Sequence, residues 1–393
     1  MQEQREVVIS GSGPAGAFTA ALLASRGHDV LLIDKEVFPR DKVCGDAVST
    51  RAFDLLGEAG IKDELEAAVK EHLFNPISTL HLISPAGHLL NVRDDDPGSR
   101  GYSAVVAPRV HFDNLIRKRA LALSVESLSA RVERPLVQKG CVQGVRVLHK
   151  GQWKDIKARI TVGADGANSV IAAALRPQKK QMDEHRALAL RVYAEGFDVI
   201  PDTVEFFLYR QILPGYARVF PLGNGRANIG LGMRLDRYRK AKKSLKVMLD
   251  QFLSLPAIRE RIKKEVKLYN QAAWPLNFGT QKRLQYAFNG ALLVGDAAGF
   301  TNPLTGGGIY MSLLSGQLSA PIIQRALKAG DHSLGLLQEY QAQCCSLILK
   351  ELKKYYRLQQ LLMCSPKLVD LFVKRIRRRP HLADYLSSRL LML

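Results

Sequence analysis

Short apolar runs, glycine-rich turns and helical stretches alternate along the first part of the chain. Residues 6–10 form a β-branched run, residues 14–26 are rich in Ala and Leu and end at Gly27, and residues 29–33 form a second apolar run. A run without polar interruption suits a strand covered by helices on both faces, so the pattern predicts one βαβ unit of a parallel sheet. Further on, residues 78–84 and 88–92 read as strands around Pro85-Ala86-Gly87, residues 110–123 as a helix after Arg109, and residues 137–148 as a hairpin around Lys139-Gly140. Two more buried-strand runs, 159–163 and 290–294, each lead into a glycine-containing turn.

Between residues 184 and 275 the texture changes to alternating strands at 186–194, 203–209, 218–221 and 226–231, with one helical insertion at 237–267. Alternation at period 2 predicts an antiparallel sheet with one buried face. The expected organisation is therefore discontinuous. Residues 1–75, 100–183 and 276–330 make a dinucleotide-binding domain, residues 76–99 and 184–275 a substrate domain, and residues 331–393 a helical, basic C-terminus. In that C-terminus Leu337, Tyr340, Cys344, Ile348, Leu352, Tyr355 and Leu362 recur at helical spacing, and Ser365-Pro366 starts another helix as N-cap and first residue.

Composition narrows the partners. The 393 residues carry 57 Lys and Arg against 37 Asp and Glu, a formal net charge of +20, which selects for something anionic. The excess is concentrated: residues 236–267 hold eleven basic against four acidic side chains, and residues 331–393 eleven against five. Lys350, Lys353, Lys354 and Arg357, then Lys374, Arg375, Arg377, Arg378 and Arg379, stand on amphipathic stretches that end in Leu390-Leu391-Met392-Leu393. No nucleic-acid module accompanies them, so nucleic acid is excluded as a partner and an anionic membrane surface is expected. No run is long and apolar enough to span a bilayer, and no secretory signal is visible, so the chain is expected in the cytoplasm, peripheral at the membrane. Cys44, Cys141, Cys344, Cys345 and Cys364 form no C-x-x-C pair, and the histidines are scattered, so neither a disulfide framework nor a metal site is expected. The vicinal Cys344 and Cys345 read as packing residues.

The chemistry begins at Gly11-Ser12-Gly13-Pro14-Ala15-Gly16, a G-x-G-x-x-G between strand and helix, with Asp34 and Lys35 closing the next strand. Gly11 allows the tight turn, Gly13 the close approach of a pyrophosphate and Gly16 the packing of helix on strand. The helix N-terminus attracts the phosphates and Asp34 the ribose hydroxyls. Asp165-Gly166 and, more than a hundred residues later, Gly295-Asp296-Ala297-Ala298-Gly299 follow the other buried strands, and Pro303-Leu304-Thr305-Gly306-Gly307-Gly308 comes just after.

In this order the motifs resemble the FAD-dependent enzymes of the p-hydroxybenzoate hydroxylase fold. The resemblance implies an α/β protein with a Rossmann-like FAD-binding domain, related to the glutathione reductase type, an antiparallel-sheet substrate domain and a helical C-terminus. It also implies that Asp296 meets the ribityl chain, that backbone N–H groups of Pro303 to Gly308 face the N1/O2 edge of the flavin, and that Arg109 lies near the phosphates. Within that group, Phe38-Pro39-Arg40-Asp41-Lys42-Val43-Cys44-Gly45-Asp46, Leu213-Pro214-Gly215-Tyr216 and Gly295 to Pro303 are similar to the geranylgeranyl reductase family, across nearly the whole chain. Arg218 stands where that family often has tryptophan.

Members of that family use reduced FAD to saturate isolated C=C bonds of prenyl chains. The resemblance implies an isoprenoid or other lipid-like substrate, a hydride from flavin N5, and a proton from Cys44 beside the flavin, with Gly45 next to it. An ordinary thiol, with a pKa of about 8.5, carries its proton at neutral pH. Tyr216 is a candidate for orienting the substrate. No second fingerprint is present, so electrons are expected from transiently bound NAD(P)H, from ferredoxin or from a reduced quinone. The alternative is a monooxygenase of the same fold acting on a small molecule or a partner protein. Halogenation is disfavoured by the lack of W-x-W-x-I-P, the only tryptophans being Trp153 and Trp274. A third reading is a flavin- and lipid-binding protein without catalysis.

Overall fold

The computed structural model describes residues 4–93, 100–176, 182–362 and 365–378. Cys364, Arg379 and the Leu390 to Leu393 end of the basic C-terminus lie outside the described residues. Arg5–Ser10 is flanked in parallel by Val30–Asp34 and by Gln152–Gly163. Glu126–Ser129 continues the sheet beyond the first of these and Ala291–Leu293 beyond the second, both parallel, with Ala287–Phe288 antiparallel at one edge. Helix Pro14–Ala24 covers this sheet together with Arg109–Ala122 and Ile309–Ala329. Ten of its eleven residues are buried, which is why its sequence is apolar all round. Gln152–Gly163 outruns the sheet and pairs antiparallel with Cys141–His149, which pairs with Arg131–Gln138, so the expected hairpin is an extension of a core strand.

The second sheet has seven strands in the order Ile262–Asn277, Arg186–Phe197, Arg226–Arg234, Gly215–Gly223, Thr203–Phe207, Thr79–Ile83, Leu89–Arg93. Its neighbours are antiparallel except Thr203–Phe207 and Thr79–Ile83, which run parallel where two distant stretches of chain meet. A three-stranded sheet of Ala47–Ser49, Ala104–Val106 and Asn75–Ile77 completes the β-structure.

One element differs from expectation. The helical insertion consists of Leu235–Ala241, Leu245–Leu253 and Pro256–Arg259, and residues 262–267 open the 16-residue strand Ile262–Asn277. This is an edge strand, and its lysines and glutamates, which read as a helical polar face, protect an edge from pairing with other chains. At the C-terminus the expected helix is Leu334–Gln343, a π-helical turn Cys344–Leu349, and Lys350–Leu362. Cys344 packs in the core, where burial pushes its thiol up to about 12, whereas Cys345 is exposed. Helix Pro366–Arg377 begins with Ser365 Oγ accepting the Lys367 N–H, as its cap sequence predicts.

Two glycines of the fingerprint hold the first turn together. Gly11 has φ +107°, and a Cβ there would stand 2.3 Å from the Ala164 carbonyl oxygen; a Cβ on Gly16 would stand 1.9 Å from the Gly11 carbonyl oxygen. Helix and strand approach too closely for any side chain at these points. Gly16→Ala is expected to lower the free energy of unfolding by roughly 1–3 kcal/mol or more, measured by urea denaturation. An unchanged midpoint would show that the contact is soft.

Candidate active site

A cavity of ≈760 Å³ lies where the C-terminal ends of the parallel strands face the seven-stranded sheet. Gly11, Gly13, Pro14 and Ala15 line it at the start of helix Pro14–Ala24, as do Asp34 and Lys35 at the end of the second strand. Gly16 and Gly295 stand behind the wall, Gly295 close to Ala15 and Ser312. The Asp34 carboxylate accepts the Ser12 N–H at 2.7 Å and the Glu36 N–H at 2.9 Å, which fixes it at the rim. Lys35 is exposed and pairs with Glu36. Asp165 also lines the cavity with Gly166, but its oxygens accept from Ser169 Oγ at 2.5 Å and Val170 N at 2.8 Å, so the carboxylate caps helix Val170–Leu175. Burial raises the Asp165 carboxyl above its ordinary range, against these bonds.

Residues 38–46 cross from one sheet to the other and bring charge with them. Arg40 pairs with Asp113 at 2.8 Å, and Arg109 grips the same carboxylate at 2.5 and 2.7 Å. Two guanidiniums thus share one carboxylate beside Gly13, leaving a positive excess where a pyrophosphate would meet the helix N-terminus. Burial alone would weaken the Arg109 cation, but Asp113, and after it Cys44, hold it well above the usual guanidinium range. Lys42, half-buried over the Trp274 ring at 3.4 Å, is lowered to about 7 by desolvation and by Arg109, with Asp296 and Cys44 opposing. Arg191, fully buried, donates to Asp41 at 2.6 Å. Asp46 accepts from Tyr193 Oη at 2.7 Å and Asn228 Nδ2 at 2.8 Å. Asn228 Nδ2 also donates to the Cys44 carbonyl at 2.8 Å. Tyr193 and Asn228 are cross-strand partners, so the seven-stranded sheet presents both donors to one carboxylate.

The opposite wall is formed by Tyr216, Arg218 and Phe220, alternate residues of Gly215–Gly223, and by Pro303, Thr305, Gly306, Gly307 and Gly308 before helix Ile309–Ala329. Tyr216 is half-buried and its hydroxyl donates to the Thr305 carbonyl, so this ring ties the sheet to the glycine loop. Burial raises the Tyr216 phenol. The loop differs from expectation in one respect. The Gly306 and Gly307 N–H groups are bound within it, by Asn302 O at 2.8 Å and Thr305 Oγ1 at 3.2 Å. The donors left for a ligand are the Gly308 N–H and those of the first turn of helix Ile309–Ala329. Asp296 lines the cavity and accepts from Thr301 Oγ1 at 3.2 Å.

The cavity therefore gathers Cys44, Gly45, Tyr216 and every dinucleotide residue expected from the sequence apart from Gly16 and Gly295, which pack behind it. A helix N-terminus at one end, Arg40 and Arg109 beside it, and a second helix N-terminus at the far end fit an elongated anionic dinucleotide such as FAD. Sequence reasoning missed Arg191, Asp46, Asn228 and Gln359. Gln359 comes from the C-terminal helix Lys350–Leu362, donates to the Pro303 carbonyl and lines the cavity. No motif marks it. A buried acid two residues after Cys44, in a loop rich in charge, was the available signal for Asp46.

The model of the FAD binding domain family matches residues 4–349. Digeranylgeranylglycerophospholipid reductase 2 of Methanopyrus kandleri is 32% identical over 345 residues, covering 86% of this chain and 81% of its own. Digeranylgeranylglycerophospholipid reductase 1 of Methanococcoides burtonii is 29% identical over 344 residues, covering 87% and 79%. A solved geranylgeranyl bacteriochlorophyll reductase-like protein from Thermoplasma acidophilum superposes with a TM-score of 0.83 at 24% identity, over 95% of this chain and 91% of that one, which shows a common fold. Among the described residues no helix is long and apolar enough to cross a membrane, and no cluster of metal-binding side chains occurs.

Burial raises the Asp46 carboxyl to about 6, against the lowering effect of Tyr193 and Asn228. Between the ordinary value near 3.8 and about 6 the folded chain holds a proton that the unfolded chain has released, so this group's contribution to stability falls as pH rises through that window. The contribution is on the order of 3 kcal/mol. Asp46→Asn is expected to flatten the corresponding part of the stability curve measured by urea unfolding at pH 4, 5 and 6. An unaltered slope would place the titration elsewhere.

Proposed function

The chain belongs to the FAD binding domain family, and from that premise we propose that it is an FAD-dependent reductase that saturates C=C bonds of an isoprenoid lipid. The observation that carries the reading is the match, over more than four-fifths of this chain, to a reductase of digeranylgeranylglycerophospholipid, with Cys44 on the cavity wall. Ala187, Ala189, Met233, Leu276 and Phe220 add apolar surface suited to a hydrocarbon.

Bound in its reduced form, FAD supplies the hydride. The chain's own residues do the rest. Gly13, Arg40 and the start of helix Pro14–Ala24 hold the pyrophosphate; Asp34 and Asp296 take hydroxyls of ribose and ribityl; Tyr216 keeps the 303–308 loop in place. Cys44 Sγ delivers the proton to the second carbon of the alkene, and Arg109 beside it fixes the thiol's position. Lys42, lowered to about 7 at the same wall, stands where it can return a proton to Cys44. Electrons come from a transient donor, NAD(P)H, ferredoxin or a reduced quinone.

The lipid reaches the cavity from a membrane surface. Leu361, Leu368 and Leu371 are exposed on helices Lys350–Leu362 and Pro366–Arg377, beside exposed Lys353, Lys354, Arg357, Lys374 and Arg375. The second helix is anchored from below by Val369, Val373 and Ile376, and by Asp370 accepting from Ser84 Oγ at 2.7 Å and Ala86 N at 2.9 Å. A basic rim around exposed leucines suits anionic headgroups and the acyl boundary.

Anaerobic FAD-loaded protein, reduced and mixed with digeranylgeranylglycerophospholipid, is expected to be reoxidised with loss of C=C bonds by mass spectrometry. Cys44→Ala should slow that step roughly 10²-fold or more with FAD content unchanged. Reoxidation only by O₂, with the lipid untouched, would sink the reductase reading and favour oxygen chemistry. Co-sedimentation should require anionic vesicles, weaken with salt, and drop in Leu371→Glu; equal binding to neutral vesicles would remove the basic rim from the account.

A further inference from the structure

We infer that Arg218 is a recognition site for an oxygen of the substrate, an anionic or carbonyl acceptor lying close to the C=C bond that is reduced. The inference rests on the reductase reading and specifies its substrate.

Strand Gly215–Gly223 sends Tyr216, Arg218 and Phe220 to its cavity face. Arg218 is 6% exposed, and its guanidinium occupies a slot that two glycines leave open. A Cβ on Gly45 would stand 2.9 Å from Arg218 Nε, and one on Gly230 2.8 Å from Nη2. Gly230 pairs across the sheet with Arg218 on one side and Arg191 on the other, so its missing side chain makes room in a row of two arginines. Phe220 lies 5.6 Å from the guanidinium carbon.

This buried cation lacks a carboxylate. Arg109 and Arg40 share Asp113, Arg191 has Asp41, and Arg234 has Asp236 at 2.6 Å. Among the described residues Arg218 has one bond, from Nη2 to Asn228 Oδ1 at 3.3 Å, and its Nε–H is buried without a partner. Asn228 cannot turn to offer more, because its Nδ2 is committed to Asp46 and the Cys44 carbonyl. A buried guanidinium is costly unless an acceptor meets it, so the fork is set for an oxygen that arrives with a ligand.

Position says which part of the ligand. Gly45, against Arg218 Nε, directly follows Cys44, and Asn228 joins the two by accepting from Arg218 Nη2 and donating to the Cys44 carbonyl. The acceptor therefore sits beside the carbon that Cys44 protonates. Two substrate chemistries meet the requirement: a prenyl chain with an allylic phosphate, and a prenyl chain on a quinone ring, whose carbonyl lies near the first alkene across the ring carbon and methylene.

The test uses FAD-loaded full-length protein and three probes of matched chain length: geranylgeranyl phosphate, a geranylgeranyl quinone and the hydrocarbon lacking the oxygen. Calorimetric titration should show wild type binding at least one oxygen-bearing probe roughly 10- to 100-fold more tightly than the hydrocarbon. Arg218→Met should erase that preference, with hydrocarbon affinity and FAD content unchanged. Arg218→Lys should restore part of the preference for a phosphate but little for a carbonyl, because a point charge does not reproduce the guanidinium fork, and so separates the two chemistries. Arg218→Gln replaces the methionine variant should that one fail to fold. A preference that survives in Arg218→Met or Arg218→Gln overturns the inference, as does lost FAD affinity with the preference intact, which would assign the guanidinium to the cofactor. Absence of reduction of every probe would instead count against the reductase reading.

Discussion

Asp46 is fully buried, and the way the loop meets the seven-stranded sheet follows from the two donors that converge on its Oδ2, Oδ1 having no partner among the described residues. Its donors, Tyr193 and Asn228, belong to the seven-stranded sheet, while Asp46 itself leads out of the loop that starts at the parallel sheet. Within the same loop the fully buried Arg191 donates to Asp41, whose carboxylate reaches solvent, and Arg40 to Asp113 ties the beginning of the loop to helix Arg109–Ala122. Each of these bonds joins a group on the 38–46 segment to a group on another element. Breaking one would leave a buried polar or charged group short of its partner, so the segment has little freedom to move.

That constraint carries the chemistry. Cys44 is held through its own carbonyl by Asn228, and Arg109 faces its sulfur. The opposite wall is fastened by Tyr216 to the Thr305 carbonyl and by Gln359 to the Pro303 carbonyl, so the glycine loop is gripped from the sheet and from the C-terminal helix. An FAD placed by the two helix N-termini would lie between walls that are each anchored by buried hydrogen bonds, the condition for presenting a thiol and a hydride donor to one alkene. The positive balance of the chain takes two forms. Inside, Arg40, Arg109, Arg191 and Arg234 stand against carboxylates and Arg218 does not; outside, cations form a solvated rim on the C-terminal helices beside exposed leucines.

Most elements were legible in the sequence because their burial is one-sided or complete. The central parallel strands carry buried apolar runs at 7–9, 30–33 and 291–293, helix Pro14–Ala24 is apolar all round, and the alternating strands 186–194 and 226–231 stand in the sheet as Arg186–Phe197 and Arg226–Arg234. Residues 262–267 were misread as helix because an edge strand solvated along its length uses the same lysines and glutamates as a helical surface. The parallel pairing of Thr203–Phe207 with Thr79–Ile83 was equally hidden, since alternation reveals which face of a strand is buried and not the direction of its neighbour.

The sequence by itself determined the dinucleotide turn, its closing acid, the glycine loop and the order in which they recur, because each depends on local geometry: a positive φ at Gly11, no room for a Cβ at Gly16, a helix start after Gly308. Only the tertiary structure decided what the charges do. Whether an arginine meets a carboxylate, as Arg40 and Arg191 do, or none, as Arg218 does among the described residues, depends on groups far away along the chain that the tertiary fold brings within hydrogen-bonding distance. The free energy of a buried charge is set by its partners in space, and no periodicity along the chain records them.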